Sequence, residues 1–521
     1  MAQTAPTIQW QKCYGGSDDE VYYSLEATSD HGFFLIGDTK STDGDVVNPP
    51  AGMNSWVAKI DYAGMLQWQN AIGGSAPDHS YSGQQTSDLG YIVGVESLSS
   101  DGDAGENHGG YDFLCTRLNE TGDLVWTHDY GGSLHDHPSC IRKTQDGGYI
   151  MSGGSLSNDG DVTGHHGSTS TFDIWLMKLD SSGNSVWSKS IGGTQSDFGL
   201  YIQQTSDGNY ILVGQSQSND GDITGHHGSP DTYDLLVMKF NSKGKILWQK
   251  SFGGSGDDMA HCVKQTIDGG YIIAASTESS DGDVMFNHGG KDLWILKLGP
   301  NGKLLWQKTY GGSKDEGGRS IQQTMDGGYI AAGETTSNDG DVTGNHGNSD
   351  YWLIKIDAKG NLQWQETLGG SGFDFGKTVL QLKDGSFIVG GNSFSNDGDV
   401  SGLHGSTAHG DYWIVKLNAQ GVPPNCVVCK TQNSSKEKLV DIFLYPIPAH
   451  SLVTVEVITK NPLEGTLELR DMNNQLLFQQ EVNYAAGTFR QTLDLSNYSA
   501  GTYYVGIRSR EQFVVRKIEK Q

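Results

Sequence analysis

The stretch "WQKSFGGS" (248–255) is one of seven copies of a phrase in which Trp and four variable residues precede Gly-Gly-Ser or Gly-Gly-Thr. A turn phrase such as "QTIDGGYI" (265–272), an acidic loop and a second apolar stretch such as "DLWILKL" (292–298) complete each period. The seven tryptophans recur every 58–61 residues, at Trp10, Trp68, Trp126, Trp187, Trp248, Trp306 and Trp364. This regular spacing indicates a repeat protein.

Each repeat contains four short strand candidates, separated by Asp-Gly, Gly-Gly or Asn-Gly turns. Four strands repeated seven times predict an all-β chain with a seven-bladed β-propeller over 7–421. The last repeat stops after "DYWIVKL" (411–417), whereas the chain begins with an orphan Trp strand, "IQWQKCY" (8–14). We therefore expect the N-terminal strand to complete the last blade and close the ring.

The formal net charge of −27 makes nucleic acid and anionic membrane surfaces poor partners. No window approaches the length of a membrane-spanning apolar segment. The first residues, "MAQTAPTIQW", have neither the basic region nor the apolar core of a signal peptide. The expected state is a monomer.

Asp-Gly-Asp occurs seven times, always in the acidic loop. In "DGDVTGNHGNSD" (339–350) the oxygen-bearing residues have the spacing of an EF-hand-type loop, which predicts a Ca²⁺ site. Its predicted ligands are Asp339, Asp341, Thr343, Asn345 and Asp350, and the first half recurs as Asp159, Asp161 and Thr163, as Asp220, Asp222 and Thr224, and as Asp397, Asp399 and Ser401. The alternative is that the carboxylates accept backbone N–H bonds in Asx-turns without any metal.

A histidine recurs in six of these loops, at His108, His166, His227, His288, His346 and His404. Adjacent blades would separate these imidazoles by far more than a metal–ligand bond. We therefore expect each histidine to hold its own loop through a hydrogen bond, and no shared transition-metal site.

A second set of acids lies three residues after each Gly-Gly-Ser or Gly-Gly-Thr. These acids are Glu20, Asp78, Asp136, Asp197, Asp258, Glu316 and Asp374. Blade geometry predicts that they surround one mouth of the central channel, where they are candidate ligand-binding residues. The alternative is that each accepts N–H bonds from the glycine turn beside it.

After a predicted linker over 422–438 the repeats stop, and alternating stretches such as "LVTVEV" (452–457) predict a small Ig-like β-sandwich over 439–521. In this region "YPIPA" (445–449), "LRDMNNQLL" (469–477), "LDLSNYSAGTYYVGI" (493–507) and "VVRKIEK" (514–520) resemble the type A C-terminal sorting domain of the Bacteroidetes type IX secretion system. The acidic repeats resemble those of secreted proteins that carry this domain. The resemblance implies export through the outer-membrane secretion machinery and a secreted or cell-surface location.

The regularity of the repeats offers no unique nucleophile and base, so the sequence does not favour an enzyme. The leading interpretation is a binding or adhesion propeller, dependent on calcium, that recognises a glycan or a surface protein through its acidic face. A secreted glycan-active hydrolase or lyase on a propeller scaffold is the alternative. The repeated tryptophans are expected to pack between blades rather than to bind sugars.

Overall fold

In the computed structural model the protein forms seven four-stranded antiparallel sheets, followed by two C-terminal sheets of three and four strands. The structure describes residues 4–419, 440–445, 452–459, 462–471, 475–499, 501–509 and 513–520. The predicted linker at 422–438 lies outside these residues. All of the regular elements in the described ranges are strands, which confirms the all-β prediction.

The strands of the seven sheets follow the repeat period of the sequence. In chain order they are β1 (Ile8–Tyr14), β2 (Glu20–Ala27), β3 (Phe33–Thr39), β4 (Asn54–Ile60), β5 (Leu66–Ile72), β6 (Asp78–Gln85), β7 (Tyr91–Ser97), β8 (Asp112–Leu118), β9 (Leu124–Tyr130), β10 (Asp136–Lys143), β11 (Tyr149–Ser155), β12 (Asp173–Leu179), β13 (Ser185–Ile191), β14 (Asp197–Gln204), β15 (Tyr210–Ser216), β16 (Asp234–Phe240), β17 (Ile246–Phe252), β18 (Asp258–Gln265), β19 (Tyr271–Thr277), β20 (Asp292–Leu298), β21 (Leu304–Tyr310), β22 (Glu316–Gln323), β23 (Tyr329–Thr335), β24 (Asp350–Ile356), β25 (Leu362–Leu368), β26 (Asp374–Gln381), β27 (Phe387–Ser393) and β28 (Asp411–Leu417).

Six sheets consist of four consecutive strands, from β2-β3-β4-β5 to β22-β23-β24-β25. The seventh has the order β1-β28-β27-β26, so it is built from both ends of the repeat region. β1 pairs antiparallel with β28, with Trp10 opposite Lys416 and Tyr14 opposite Tyr412. The first strands of neighbouring sheets contact one another around the ring, including β2 with β26. These contacts and the seven sheets confirm the seven-bladed propeller.

The middle two strands of each sheet supply the core between blades. Trp294 of β20 is fully buried and shares an apolar cluster with Ile211 and Val237 of the preceding sheet. The tryptophans of the outer strands also pack between blades, because Trp248 lies against the turn at Gly302 of the next sheet. Gly302 has a φ of 76°, and a Cβ there would lie 2.9 Å from the Trp248 ring. The expected packing role of the tryptophans is thus confirmed.

A β-bulge interrupts the first strand of every sheet at the same place. In β18, Ala260 pairs with Ala275 and Cys262 with Ala274, which leaves His261 outside the register. A bulge of this kind turns the side chain of the extra residue in a new direction. The seven extra residues are Tyr23, Tyr81, Ser139, Leu200, His261, Arg319 and Lys377.

The C-terminal region forms two packed sheets. Its strands are β29 (Val440–Tyr445), β30 (Leu452–Thr459), β31 (Leu463–Asp471), β32 (Leu476–Tyr484), β33 (Gly487–Asp494), β34 (Gly501–Ser509) and β35 (Phe513–Lys520). One sheet has the order β29-β30-β33 and the other β32-β31-β34-β35. Val455, Leu467 and Val505 belong to a single buried cluster contributed by both sheets. The predicted β-sandwich is confirmed.

Deleting residues 1–14 should destabilise the whole propeller, because it removes β1 and leaves β28 as an unpaired edge. Trp413 would also lose the hydrogen bond from its indole N–H to Gln11, 2.7 Å long. We expect thermal unfolding, followed by circular dichroism, to shift down by about 10 °C or more. Deletion of residues 1–6 leaves β1 in place and is the control. An unchanged melting temperature in the longer deletion would contradict closure of the ring through β1.

Candidate functional site: the acidic face and the central channel

The seven predicted channel-mouth acids begin the first strand of each sheet, but they are not open to solvent. Glu20 is 1 % exposed and the other six are fully buried. These acids are Glu20, Asp78, Asp136, Asp197, Asp258, Glu316 and Asp374. The structure therefore places them where predicted along the chain and turns their carboxylates into the protein.

Each of these carboxylates accepts hydrogen bonds from the turn that precedes it. Asp197 accepts a bond from the backbone N–H of Gly193 at 2.9 Å and bonds from the hydroxyls of Ser216 and Ser218 at 2.5 and 2.8 Å. The glycine contact is present in all seven repeats, at 2.7–2.9 Å. The geometry thus favours the alternative in which each acid is an acceptor for its glycine turn.

The Asp-Gly-Asp loops fold back onto the same glycine turns. In the sixth repeat Asp339 Oδ1 accepts the backbone N–H of Ser313 at 2.7 Å, and the N–H of Asp341 donates to the carbonyl of Gly311 at 2.9 Å. The first aspartate makes the equivalent 2.7 Å contact in all seven loops. Each acidic loop is therefore tied to the connection that enters its own sheet.

The predicted ligands in 339–350 bond to different groups of the protein. The Thr343 hydroxyl accepts a bond from the Gln365 amide at 2.7 Å, and the Asn345 amide donates to the carbonyl of Ser337 at 3.1 Å. Asp350 is fully buried and accepts bonds from His346. Between them, these contacts give the predicted calcium ligands separate partners within the protein, unlike an EF-hand loop.

The partial loops behave in the same way. Their first aspartates, Asp159, Asp220 and Asp397, hold the preceding turn, while Thr224 and Ser401 accept amide bonds from the outer strand. The second aspartates, Asp161, Asp222 and Asp399, each donate a backbone N–H to the carbonyl of the first glycine of that turn. Thr163 occupies the loop position equivalent to Thr224 and Ser401.

Groups of three acids and histidines close enough to hold a metal occur at two other places in the described ranges. One is Asp18 with Asp19 and His409, and the other is His108 with Asp112 and Asp129.

The six loop histidines bind the first aspartate of the third strand in their own sheet. His227 Nδ1 lies 2.7 Å from Asp234 Oδ2, and the backbone N–H of His227 donates to the same oxygen at 2.8 Å. The other five histidines make the same pair of contacts, with Nδ1–Oδ2 distances of 2.6–3.1 Å. The expectation that each histidine holds its own loop is confirmed.

The central channel is lined by residues that the repeats do not share. It encloses a cavity of about 150 Å³, and all seven of the extra residues at the bulges line it. A wider depression of about 530 Å³ on the rim, between residues 4–7 and β25, has Glu366 as its one charged lining residue. The channel is lined by more charged and polar side chains than the depression and is therefore the better candidate site.

Four cationic side chains line this cavity in a chain whose net charge is −27: Arg142, Lys264, Arg319 and Lys377. Glu26 is the single acid of the lining. It lies 3.4 Å from Arg142 and offsets part of the positive charge. The cavity is therefore a basic site inside an acidic protein.

Tyrosine rings hold three of these cations in place, whereas the fourth, Arg319, forms an ion pair with Glu334 at 2.9 Å. The guanidinium of Arg142 and the ammonium of Lys264 lie 4.9 and 4.8 Å from the centroid of the Tyr201 ring. Lys377 Nζ lies 4.5 Å from the centroid of Tyr23 and donates to the Tyr22 carbonyl at 2.6 Å. Such cation–π contacts orient a charge without neutralising it.

The basic lining shifts the acidity of its own members. Burial, with the positive charge of Arg319, lowers the pKa of Lys377 to about 8. Burial and the same arginine hold the pKa of His261 well below its ordinary range. An anion in the cavity would relieve this repulsion, because it would favour the charged form of Lys377.

Sequence reasoning did not identify these channel residues, although a signal was present. The seven bulge residues each lie three residues after a predicted ring acid, and an alignment of the repeats at that offset shows Tyr, Tyr, Ser, Leu, His, Arg and Lys. Arg142 and Lys264 lie three residues further along their strands. Because the side chain at this position varies in an otherwise regular repeat, the position is a candidate for residues with a function specific to one blade.

A family model described as a secretion system C-terminal sorting domain matches residues 443–521. This is an exported protein. It carries the sorting domain of type IX secretion, is secreted to the cell surface, and has the secretion machinery as a partner. The described ranges contain no apolar helix of membrane-spanning length.

The regulatory protein FlaEY of Caulobacter vibrioides is 25% identical to this chain over 211 residues, which are 37% of this chain and 22% of that protein. The chain thus spans about a fifth of the length of the curated relative it matches.

Among solved structures, similar chains include a puromycin hydrolase (TM-score 0.45, 10% identity, 88% of this chain and 62% of that one). A quinohemoprotein alcohol dehydrogenase from Comamonas testosteroni gives a TM-score of 0.40 and 10% identity, with 80% of this chain and 77% of that one covered. YCF48 bound to D1 peptide gives 0.37 and 8%, with coverage of 80% and 97%.

The buried ring acids should make stability fall as the pH rises. Burial raises the pKa of Glu20 from 4.5 to about 7, and burial likewise raises the pKa of Asp197 and of Asp258 to about 6. An acid whose pKa is higher in the folded state stabilises the fold below its unfolded pKa, and this stabilisation is lost as the pH rises through the folded pKa.

We therefore expect the free energy of unfolding, measured with urea, to decrease between about pH 4.5 and pH 7. Glu20→Gln removes one titrating group, so its pH dependence should be shallower in that window. Glu120→Gln changes an exposed acid and should run parallel to the unmodified protein. A Glu20→Gln curve parallel to both would show that this carboxyl does not titrate on folding.

Proposed function

We propose that this exported protein is a non-catalytic binding module that holds an acidic group of a glycan in its central channel. The observation that supports this proposal is the lining of the cavity, where four cations from different blades exceed the two carboxylates beside them, Glu26 at Arg142 and Glu334 at Arg319. A cavity of about 150 Å³ accommodates a carboxylate or sulfate group rather than a whole oligosaccharide. The rest of the ligand would lie outside the channel.

The hydrogen bonds of the acidic loops favour the channel, rather than these loops, as the proposed recognition site. Their first aspartates accept the backbone N–H of the glycine turns, and the ring acids are buried. Carboxylates that already accept internal hydrogen bonds have less capacity to bind a ligand. The channel cations, in contrast, face a cavity large enough for an anion.

A catalytic role receives less support from the lining. Glycoside hydrolysis commonly uses two carboxyl groups on either side of the scissile bond. Of the residues that line the cavity Glu26 alone carries a carboxylate, and Arg142 lies 3.4 Å from it. The hydrolase or lyase alternative would therefore need groups outside this cavity.

Binding to the channel should depend on charge and on Lys377. We expect uronate-containing or sulfated oligosaccharides to bind in isothermal titration calorimetry and their neutral counterparts not to bind. Lys377→Gln removes a half-buried cation and should weaken binding at least about tenfold. Lys314→Gln changes an exposed lysine outside the channel and is the matched control.

The other outcomes separate the competing functions. Binding of acidic peptides in place of oligosaccharides would identify a protein ligand with the same acidic chemistry. Release of reducing ends from a polysaccharide would favour the hydrolase or lyase. Equal binding of acidic and neutral ligands, or an unchanged affinity in Lys377→Gln with an intact fold, would overturn the channel proposal.

We also propose that Ca²⁺ binds to the acidic face. The support is the density of acids there, including the exposed carboxylates of Asp339 and Asp397, of which one oxygen each is bonded to the glycine turn. Ions that bind only the folded state stabilise it by mass action. Millimolar CaCl₂ should therefore raise the melting temperature and EDTA should lower it.

Magnesium chloride at the same ionic strength is the control, because general screening of the −27 charge would respond to both salts alike. A melting temperature that is unchanged by both calcium and EDTA would count against calcium as a cofactor.

A further inference from the structure

The second sheet departs from the other six at one position of its outer strand. The residue two places before the Gly-Gly pair is small in six repeats and is an acid in this one. The six small residues are Cys13, Ala71, Ser190, Ser251, Thr309 and Thr367, and the acid is Asp129.

Asp129 lies in β9, opposite Leu114 of β8. Both of its oxygens are shielded from solvent and have no well-formed hydrogen bond within the described residues, where the backbone N–H of Tyr130 is the donor that acts on this carboxyl. A buried carboxylate with so few donors is costly, because the protein replaces little of the water that it loses.

Two ligand-type side chains from the neighbouring strand and loop stand beside it. Asp112 is fully buried, and its Oδ1 is also without a hydrogen-bond partner among the described residues. His108 Nδ1 lies 3.1 Å from the other oxygen of Asp112. One ligand atom each from His108, Asp112 and Asp129 lie within 4.8 Å of one another.

The charges around Asp129 are of one sign. The carboxylates of Asp112, Asp78 and Asp161 are the charged neighbours that act on its carboxyl group. The aspartates equivalent to Asp112 in the other histidine-bearing sheets also have one oxygen without a partner, but no acid stands opposite them. Among the six loops whose histidine binds the first aspartate of the third strand, the loop of the second sheet is the one that brings a second carboxylate to this pair in the described residues. The other such group there, Asp18 with Asp19 and His409, is built from different positions.

We propose that His108, Asp112 and Asp129 form a site for a divalent transition-metal cation, with Zn²⁺ as the preferred ion and water completing its coordination. A cation bound here would supply the positive partner that the three orphaned carboxylate oxygens lack. Imidazole together with carboxylates suits Zn²⁺, whereas Ca²⁺ prefers oxygen ligands alone. This site is separate from the channel and from the proposed calcium sites of the acidic face.

Comparison of the repeats suggests one substitution that should remove the metal site and one that should create a second site. Asp129→Ser introduces the residue that the third and fourth sheets carry, so it should fold and lose the metal. Ser190→Asp places a carboxylate at the equivalent position of the third sheet, near His166 and Asp173, and should create a second site. Asp123→Ser removes an exposed acid from the same hairpin and is the control.

The measurement is the zinc content of the full chain, prepared without a histidine tag, after incubation with ZnCl₂ and dialysis against buffer. We expect about one equivalent for the unmodified protein and for Asp123→Ser, none for Asp129→Ser and about two for Ser190→Asp. Cobalt substitution should give d–d absorption bands that disappear in Asp129→Ser. Circular dichroism of each variant checks that the fold is retained.

Two results would overturn the proposal. If Asp129→Ser retained as much zinc as the unmodified protein, the zinc would be bound at other histidines and not at the proposed site. No zinc in the unmodified protein, with a melting temperature that rises in Asp129→Ser, would show that Asp112 and Asp129 share a proton instead of a metal.

Discussion

The hydrogen bonds between a buried carboxylate and a glycine turn determine how one sheet of the propeller follows the next. Asp258, for example, accepts the N–H of Gly254 in the incoming connection and the hydroxyl of Ser279 beyond the second strand. The acid thereby links the connection from the preceding sheet to the loop of its own sheet. Removing a carboxylate from water is unfavourable, and these local donors compensate for the loss. Because the arrangement occurs seven times, it sets the same step between all neighbouring blades.

This use of the acids explains why the most acidic part of the chain is also its most regular part. The Asp-Gly-Asp loops close over the glycine turns, and the loop histidines fasten the other end of the loop to the third strand. Replacing one of the ring acids would leave the buried N–H of its glycine turn without a partner. Their identity is therefore fixed by the fold, and the chemistry that distinguishes one blade from another must lie elsewhere.

The residues that distinguish one blade from another lie at positions that take no part in the hydrogen bonds between strands and turns. The bulge takes Lys377 and its six equivalents out of the strand ladder and directs them into the channel, where no neighbouring strand restricts their type. The outer-strand position of Asp129 is similar, since small residues of several kinds occupy it in the other sheets. A regular scaffold thus carries two irregular sites, one basic and one acidic, without any change to its hydrogen-bonded frame.

The sequence by itself determined the number of blades, the order of strands and the sorting domain, because period, turn residues and short motifs are local properties of the chain. It also located the ring acids and predicted the role of the loop histidines, whose partners lie four or seven residues away. It did not determine the direction of the loop oxygens: Asp339 Oδ1, at the start of the EF-hand-like spacing over 339–350, accepts the N–H of Ser313, 26 residues earlier in the chain. Nor did it reveal the channel, since Arg142, Lys264 and Lys377 come from three repeats. Only closure of the ring, which brings those strands to a common axis, places their charges around one cavity.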